Sequence, residues 1–188
     1  MQPQLKTAIK EIKLTLQIKG EKKEVPCYVY EYTQRCQELP QFPLGGNTVT
    51  IKKIVDGQRI EFEYLPIYSS FDIETTNVIT DESKAAYMYH WQLVIASDEI
   101  GYIYLGRRWE LFFDLYNRLV EFYRLGAVRK LLCWVANLGF EFQFLRGIYD
   151  FDKEEVFAIQ PRKVLKCEML NHFEYRCSYL LSNMSLAA

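Results

Sequence analysis

The stretch 71-FDIETT-76 decides how the chain is read. On a β-strand successive side chains point to opposite faces, so residues two apart share one face. Asp72 and Glu74 then project together, while Phe71 and Ile73 point into a core. Two like charges held so close repel each other unless a cation lies between them, and hard cations such as Mg²⁺ prefer carboxylate oxygen. The bare triplet says little, because with seven Asp and seventeen Glu in 188 residues chance alone gives roughly 0.6 Asp-x-Glu triplets. Its meaning has to come from the surrounding sequence.

Around this stretch the texture is that of a sheet interrupted by helices. LPIYSSFDIETT and AAYMYHWQLVIAS read as two strands joined by the acidic turn TDESK, and IGYIYL reads as a third. RRWELFFDLYNRLVEFYRLG then places Trp109, Phe112, Tyr116, Leu119 and Tyr123 at helical spacing, with Gly126 as the expected stop. VRKLLCWVA reads as a buried strand, NLGFEFQFLRGIYDF opens a short helix, and residues 155 to 180 suggest a hairpin turning near Asn171-His172. The order is strand, strand, strand, helix, strand, helix, strand, strand. It predicts an α/β fold, a mixed sheet flanked by helices.

Residues 1–65 read instead as a β-rich extension. IKLTLQIKG alternates apolar and polar residues and turns at Gly20-Glu21 into EVPCYVYEY. NTVTIKKIV and QRIEFEYL flank Asp56-Gly57, a strong signal for a two-residue hairpin. Between these hairpins CQELPQFPLGGN reads as a loop. Two units are therefore expected, the extension over 1–65 and a main domain over 66–188.

Composition narrows the classes of function. The chain is 49% hydrophobic and 25% charged, with a net charge of −1, so no global field draws it to nucleic acid or to a membrane. The aromatic share of 15% suits both core packing and base-stacking surfaces. No apolar run reaches the roughly 18 residues of a membrane span, and the start MQPQLKTAIK lacks a signal peptide's apolar core. An intracellular, cytoplasmic protein is expected. Cys27, Cys36, Cys133, Cys167 and Cys177 never approach C-x-x-C spacing and are expected to be reduced, and two His residues make a His/Cys zinc site improbable.

The second informative stretch is 137-NLGFEFQFL-145. At the C-terminal end of a central strand Asn137 sits where open sheets usually carry their sites. Glu141 falls in the first turn of the next helix, where the helix dipole favours an ionised carboxylate, the form a metal requires.

Together the two stretches resemble the 3′→5′ exonuclease domain of family B DNA polymerases, most closely the protein-primed branch found in phages. FDIETT is similar to that family's first exonuclease motif and NLGFEFQFL to its second. CSYLLSNMSLA, from Cys177, is similar to a third segment that contacts the single-stranded end. The resemblance covers roughly residues 65 to 188. It implies an RNase H-like fold and two divalent metal ions, Mg²⁺ or Mn²⁺, in a complete domain. It also implies that Asp72, Glu74 and Glu141 are catalytic metal ligands, with Glu74 orienting the attacking water. Thr75, Asn137, Phe140, Ser178 and Tyr179 are then expected to hold the 3′ end of single-stranded DNA. A terminal priming protein and the remainder of the polymerase chain are the other implied partners, in the host cytoplasm if the source is a phage.

The chain departs from the family's pattern in several places. Glu141 stands where the family usually has Asp, and Ala136 and Cys177 stand where it often has His and Asp. No Asp follows Asp152, so the carboxylate of the family's downstream Tyr-x-x-x-Asp motif is missing. A domain truncated at its C-terminal end is the expectation, with one metal ion or none and weak or absent activity. Three readings stay open: an exonuclease piece, a single-strand or priming-protein binding module that does not cut, and an intracellular α/β scaffold.

Overall fold

In the computed structural model of the chain, residues 8–18, 20–33, 39–40, 42, 48–79 and 84–182 are described. The expected loop over residues 36–47 lies largely outside them. So do most of the turn TDESK, Cys36 and the end of CSYLLSNMSLA.

Eleven strands form the bulk of the molecule. They are β1 (Lys10–Ile18), β2 (Glu21–Glu31), β3 (Val49–Val55), β4 (Gln58–Tyr64), β5 (Tyr68–Ile79), β6 (Lys84–Ala96), β7 (Gly101–Gly106), β8 (Arg129–Val135), β9 (Val156–Gln160), β10 (Lys163–Met169) and β11 (Phe173–Cys177). Helices α1 (Trp109–Tyr123) and α2 (Leu138–Leu145) flank β8 in the sequence, and α3 (Ser178–Ser182) is a single short turn after β11. The strands run β1-β2-β7-β6-β5-β8-β11-β10-β9 across one mixed sheet, and the β3–β4 hairpin joins it where β4 pairs with the start of β8. β6 runs antiparallel to both β5 and β7, whereas β8 runs parallel to both β5 and β11.

This architecture corrects the expected fold class. The described residues are sheet-rich with three α-helices, and they do not form an RNase H-like α/β fold with a sheet flanked by helices. The reason lies in which residues the helices bury. Leu111, Phe112, Leu115, Tyr116 and Leu119 of α1 and Leu138 and Leu145 of α2 belong to one core, together with Phe71, Ile73, Trp91, Leu93, Leu131, Phe173 and Tyr175 of the central strands. The opposite side of β5, β8 and β11 carries Asp72, Trp134, Glu174 and Arg176, and its charges are satisfied by side chains of neighbouring strands and of the β3–β4 hairpin. β2 pairs in parallel with β7, from Cys27↔Gly101 to Glu31↔Leu105, and so adds β1 and β2 to the same sheet. Their other face forms a smaller cluster of Val25, Cys27, Val29 and Ile103.

Local chemistry explains the individual turns. Asp56 and Gly57 both have positive φ, 50° and 76°, as a type I′ hairpin turn requires. α1 ends before the expected Gly126: Arg124 takes the left-handed C-cap conformation at φ 52°, and its N–H bonds back to Glu121 and Val120. The β10–β11 turn uses Leu170 and Asn171, again both left-handed. Gly106 must lack a side chain, because a Cβ there would come within 2.1 Å of the Trp91 ring. Among the described residues no helix is long and apolar enough to cross a membrane. Cys27, Cys133, Cys167 and Cys177 are free and buried.

Candidate functional site

Asp72 sits near the middle of β5, on the same face as Ser70 and Glu74 and opposite the buried Phe71 and Ile73. The i, i+2 reading of FDIETT therefore describes the strand. Across the antiparallel pair Asp72 faces Gln92, whose Nε2 donates to Asp72 Oδ2 at 2.9 Å. Immediately beyond Glu74 the register slips by one, so that Glu74 opposes His90 while Thr75 opposes Met88. Such bulges re-aim side chains where a strand leaves regular pairing.

Glu141 reaches the same place from α2. The helix begins directly after β8, and its first turn is pressed against the β9–β10 turn: a Cβ on Gly139 would lie 2.1 Å from the carbonyl oxygen of Arg162. Glu141 is only 3% exposed, and its Oε2 has no hydrogen-bond partner. Its pKa is pushed up to about 7, chiefly by burial, with Asp72's charge and a hydrogen bond to Asp72's carboxyl adding to the rise and Glu141's own backbone N–H opposing it. Asp72 is thus close enough to Glu141 to bear on its ionisation. Burial and the nearby Asp72 charge both favour the protonated form of Glu141.

The third stretch joins them at the same end of the sheet. Tyr179 N–H donates to the carbonyl of Ala136 at 3.3 Å, and Cys177 Sγ lies 3.8 Å from that same oxygen. β11's end, with Ser178 and Tyr179, therefore adjoins the β8–α2 junction that carries Asn137. Asn137 is exposed and its side chain makes no cap hydrogen bond. Phe140 and Tyr179 expose much of their rings, and Thr75 is half-buried just past the bulge.

Glu74 is exposed, and among the described residues no group of three His, Cys, Asp or Glu side chains is placed to hold a metal ion. Asp72 and Glu141 form a pair rather than a triad. Gln92, the partner of Asp72, was not foreseen from the sequence. Counting back from Thr75↔Met88 in perfect register would set Trp91 opposite Asp72, and only the bulge brings Gln92 there. Compared with protein-family models, with curated proteins and with solved structures, the chain has no match in any of the three.

Proposed function

We propose that the chain carries the 3′→5′ exonuclease site of a protein-primed, phage-type family B DNA polymerase, and that this site takes the 3′ end of single-stranded DNA. The observation behind this reading is that Glu141, a buried acid from the second motif with an unpartnered Oε2, lies where the charge of Asp72 from the first motif acts on it. The reading rests on those residues and not on a fold class.

A divalent cation fits the pair on two counts. Glu141 Oε2 is buried without a partner, and a second negative charge beside Asp72 is disfavoured unless something compensates it. Asp72 and Glu141 would hold the ion, with Glu74 the next carboxylate on the same face. Bound there, it would supply Lewis acidity toward a phosphodiester and a more acidic water. The chain's own residues do the rest. Gln92 fixes the orientation of Asp72, Glu141 can hold or give up a proton near neutral pH, and Phe140 and Tyr179 offer faces on which terminal bases can stack. Because a ligating carboxylate must be ionised, cation affinity should fall as pH drops below about 7.

The test is single-turnover digestion of a labelled oligonucleotide. Slow 3′→5′ cleavage is expected, faster with Mn²⁺ than with Mg²⁺ because Mn²⁺ binds such ligands more tightly, and lost in Asp72→Asn. Cleavage that survives Asp72→Asn would show that the site is elsewhere. A second reading, a module that binds single strands without cutting, is favoured by the pairing of only two acids where two-metal chemistry uses several convergent carboxylates. It predicts oligonucleotide binding that Asp72→Asn leaves intact and no cleavage under any metal.

A further inference from the structure

Strand register lays out rows of side chains on the face that carries Asp72. The row containing Asp72 includes Gln92. One row back, Val94, Ser70, Trp134, Arg176 and Lys166 follow one another across β6, β5, β8, β11 and β10. Trp134 lies in a central strand, yet 38% of it is exposed. It borders a cleft of about 820 Å³ whose walls include Tyr64, Ile67, Tyr68, Leu132 and Arg176.

The charge around this row is unbalanced in one direction. Arg176 and Lys166 both pair with Glu174, Lys130 pairs with Glu168, and Lys53 stands against the rings of Phe62 and Tyr64. Within the row itself Arg176 and Lys166 thus bring two cations to the one buried carboxylate of Glu174. Asp98 and Glu99 also line the cleft. Arg129 is matched by Glu63. A polyanion entering the cleft is therefore drawn toward Arg176 and away from Asp98.

We infer that this row is a nucleotide subsite, in which Trp134 stacks the base of the penultimate nucleotide and Arg176 with Lys166 contacts its phosphate. The inference rests on the proposed function for the position of the 3′ end at Asp72. An exposed indole beside excess cations is the pairing that single-stranded nucleic acid requires, because stacking tolerates every base and cations track the backbone. The spacing agrees as well. Two residues of strand separate the Trp134 row from the Asp72 row, a rise of about 6.6 Å, comparable with one nucleotide step of an extended single strand.

The experiment is binding of fluorescent eight-nucleotide DNA in metal-free buffer, together with photo-crosslinking from 5-iodouracil at the penultimate position. Trp134→Ala should weaken binding about tenfold and abolish the crosslink, while Trp134→Phe, which keeps an aromatic face, should stay close to wild type. Lys166→Gln should make the salt dependence of log K shallower by about 0.7. Unchanged affinity in Trp134→Ala, with the crosslink mapping elsewhere, overturns the subsite and leaves the proposed function standing. A wild-type chain that binds no single strand overturns both.

Discussion

Two buried glutamates in this molecule experience the same burial penalty and answer it in opposite ways. Glu174, fully buried, has its pKa lowered to about 2: burial pushes it up, but the Tyr64 hydroxyl, Lys166 and Arg176 together outweigh that. Glu141 is almost as buried and has another acid for a neighbour in place of a cation, so its pKa rises to about 7. The difference separates a charge built into the scaffold from one left uncompensated. A fold can hide an ionised carboxylate wherever it supplies partners, and an acid without them must keep its proton or find a cation.

The largest effect that could break this contrast is removal of the satisfied charge. Glu174→Gln leaves Arg176 without its carboxylate partner and Lys166 with only Glu168, and should destabilise the chain by about 3 kcal/mol, the low end for breaking a buried pair because both cations are partly exposed. Urea unfolding at pH 7 measures it. A loss below about 1 kcal/mol would mean that the Glu174 network contributes little.

Next in size is the pH dependence. Between about pH 4.5 and 7 the folded chain keeps on Glu141 a proton that the unfolded chain has released, so stability falls as pH rises through that interval. Glu174 works in the other direction. It is ionised in the folded state down to about pH 2, so its contribution is present above about pH 4.5 and is lost as pH falls toward 2. Glu141→Gln should flatten the upper limb, which amounts to about 3 kcal/mol, and should leave the acid limb in place. Unfolding curves at pH 5 and pH 7 for both chains decide this, and a variant with the wild-type slope would contradict the assignment to Glu141.

The smallest change sharpens the comparison at a single hydrogen bond. Tyr64→Phe removes the 2.7 Å bond from the Tyr64 hydroxyl to Glu174 Oε2 and should cost about 1.5 kcal/mol, as a bond to a charged acceptor does. It should also move the acid limb to higher pH, since Glu174 is then less well held as an anion. Acid titration followed by circular dichroism would detect an unmoved limb if the bond contributes nothing.

How much of this was legible beforehand depended on whether the signal was local. The alternation of FDIETT, the Asp56-Gly57 turn and the step from VRKLLCWVA into a helix are near-neighbour patterns, and the strands and turn they predicted are present. Asp72 and Glu141 could be named for the same reason, because each sits at a position that strand or helix geometry defines. The fold class is not legible in such local patterns, because it depends on pairings between distant strands. Nothing near Cys27 or Tyr30 announces that β2 will pair with β7 far along the chain. Glu174 and Trp134 were passed over because their importance comes from neighbours on other strands, and Gln92 because a bulge hid its register.

The parallel joins at the centre of the sheet also set a temporal order. β5–β6 and β3–β4 close by short turns, whereas β2–β7, β5–β8 and β8–β11 must each bring together strands separated by long stretches of chain. Contacts between distant segments form slowly because loop closure precedes any gain from pairing. Asp72 belongs to the quickly closed β5–β6 pair and Glu141 to the segment beyond β8, so their meeting waits for the slower β5–β8 join. In a stopped-flow refolding experiment, the Mn²⁺ binding proposed for this pair should emerge only in a phase slower than the one in which the β5–β6 and β3–β4 hairpins form.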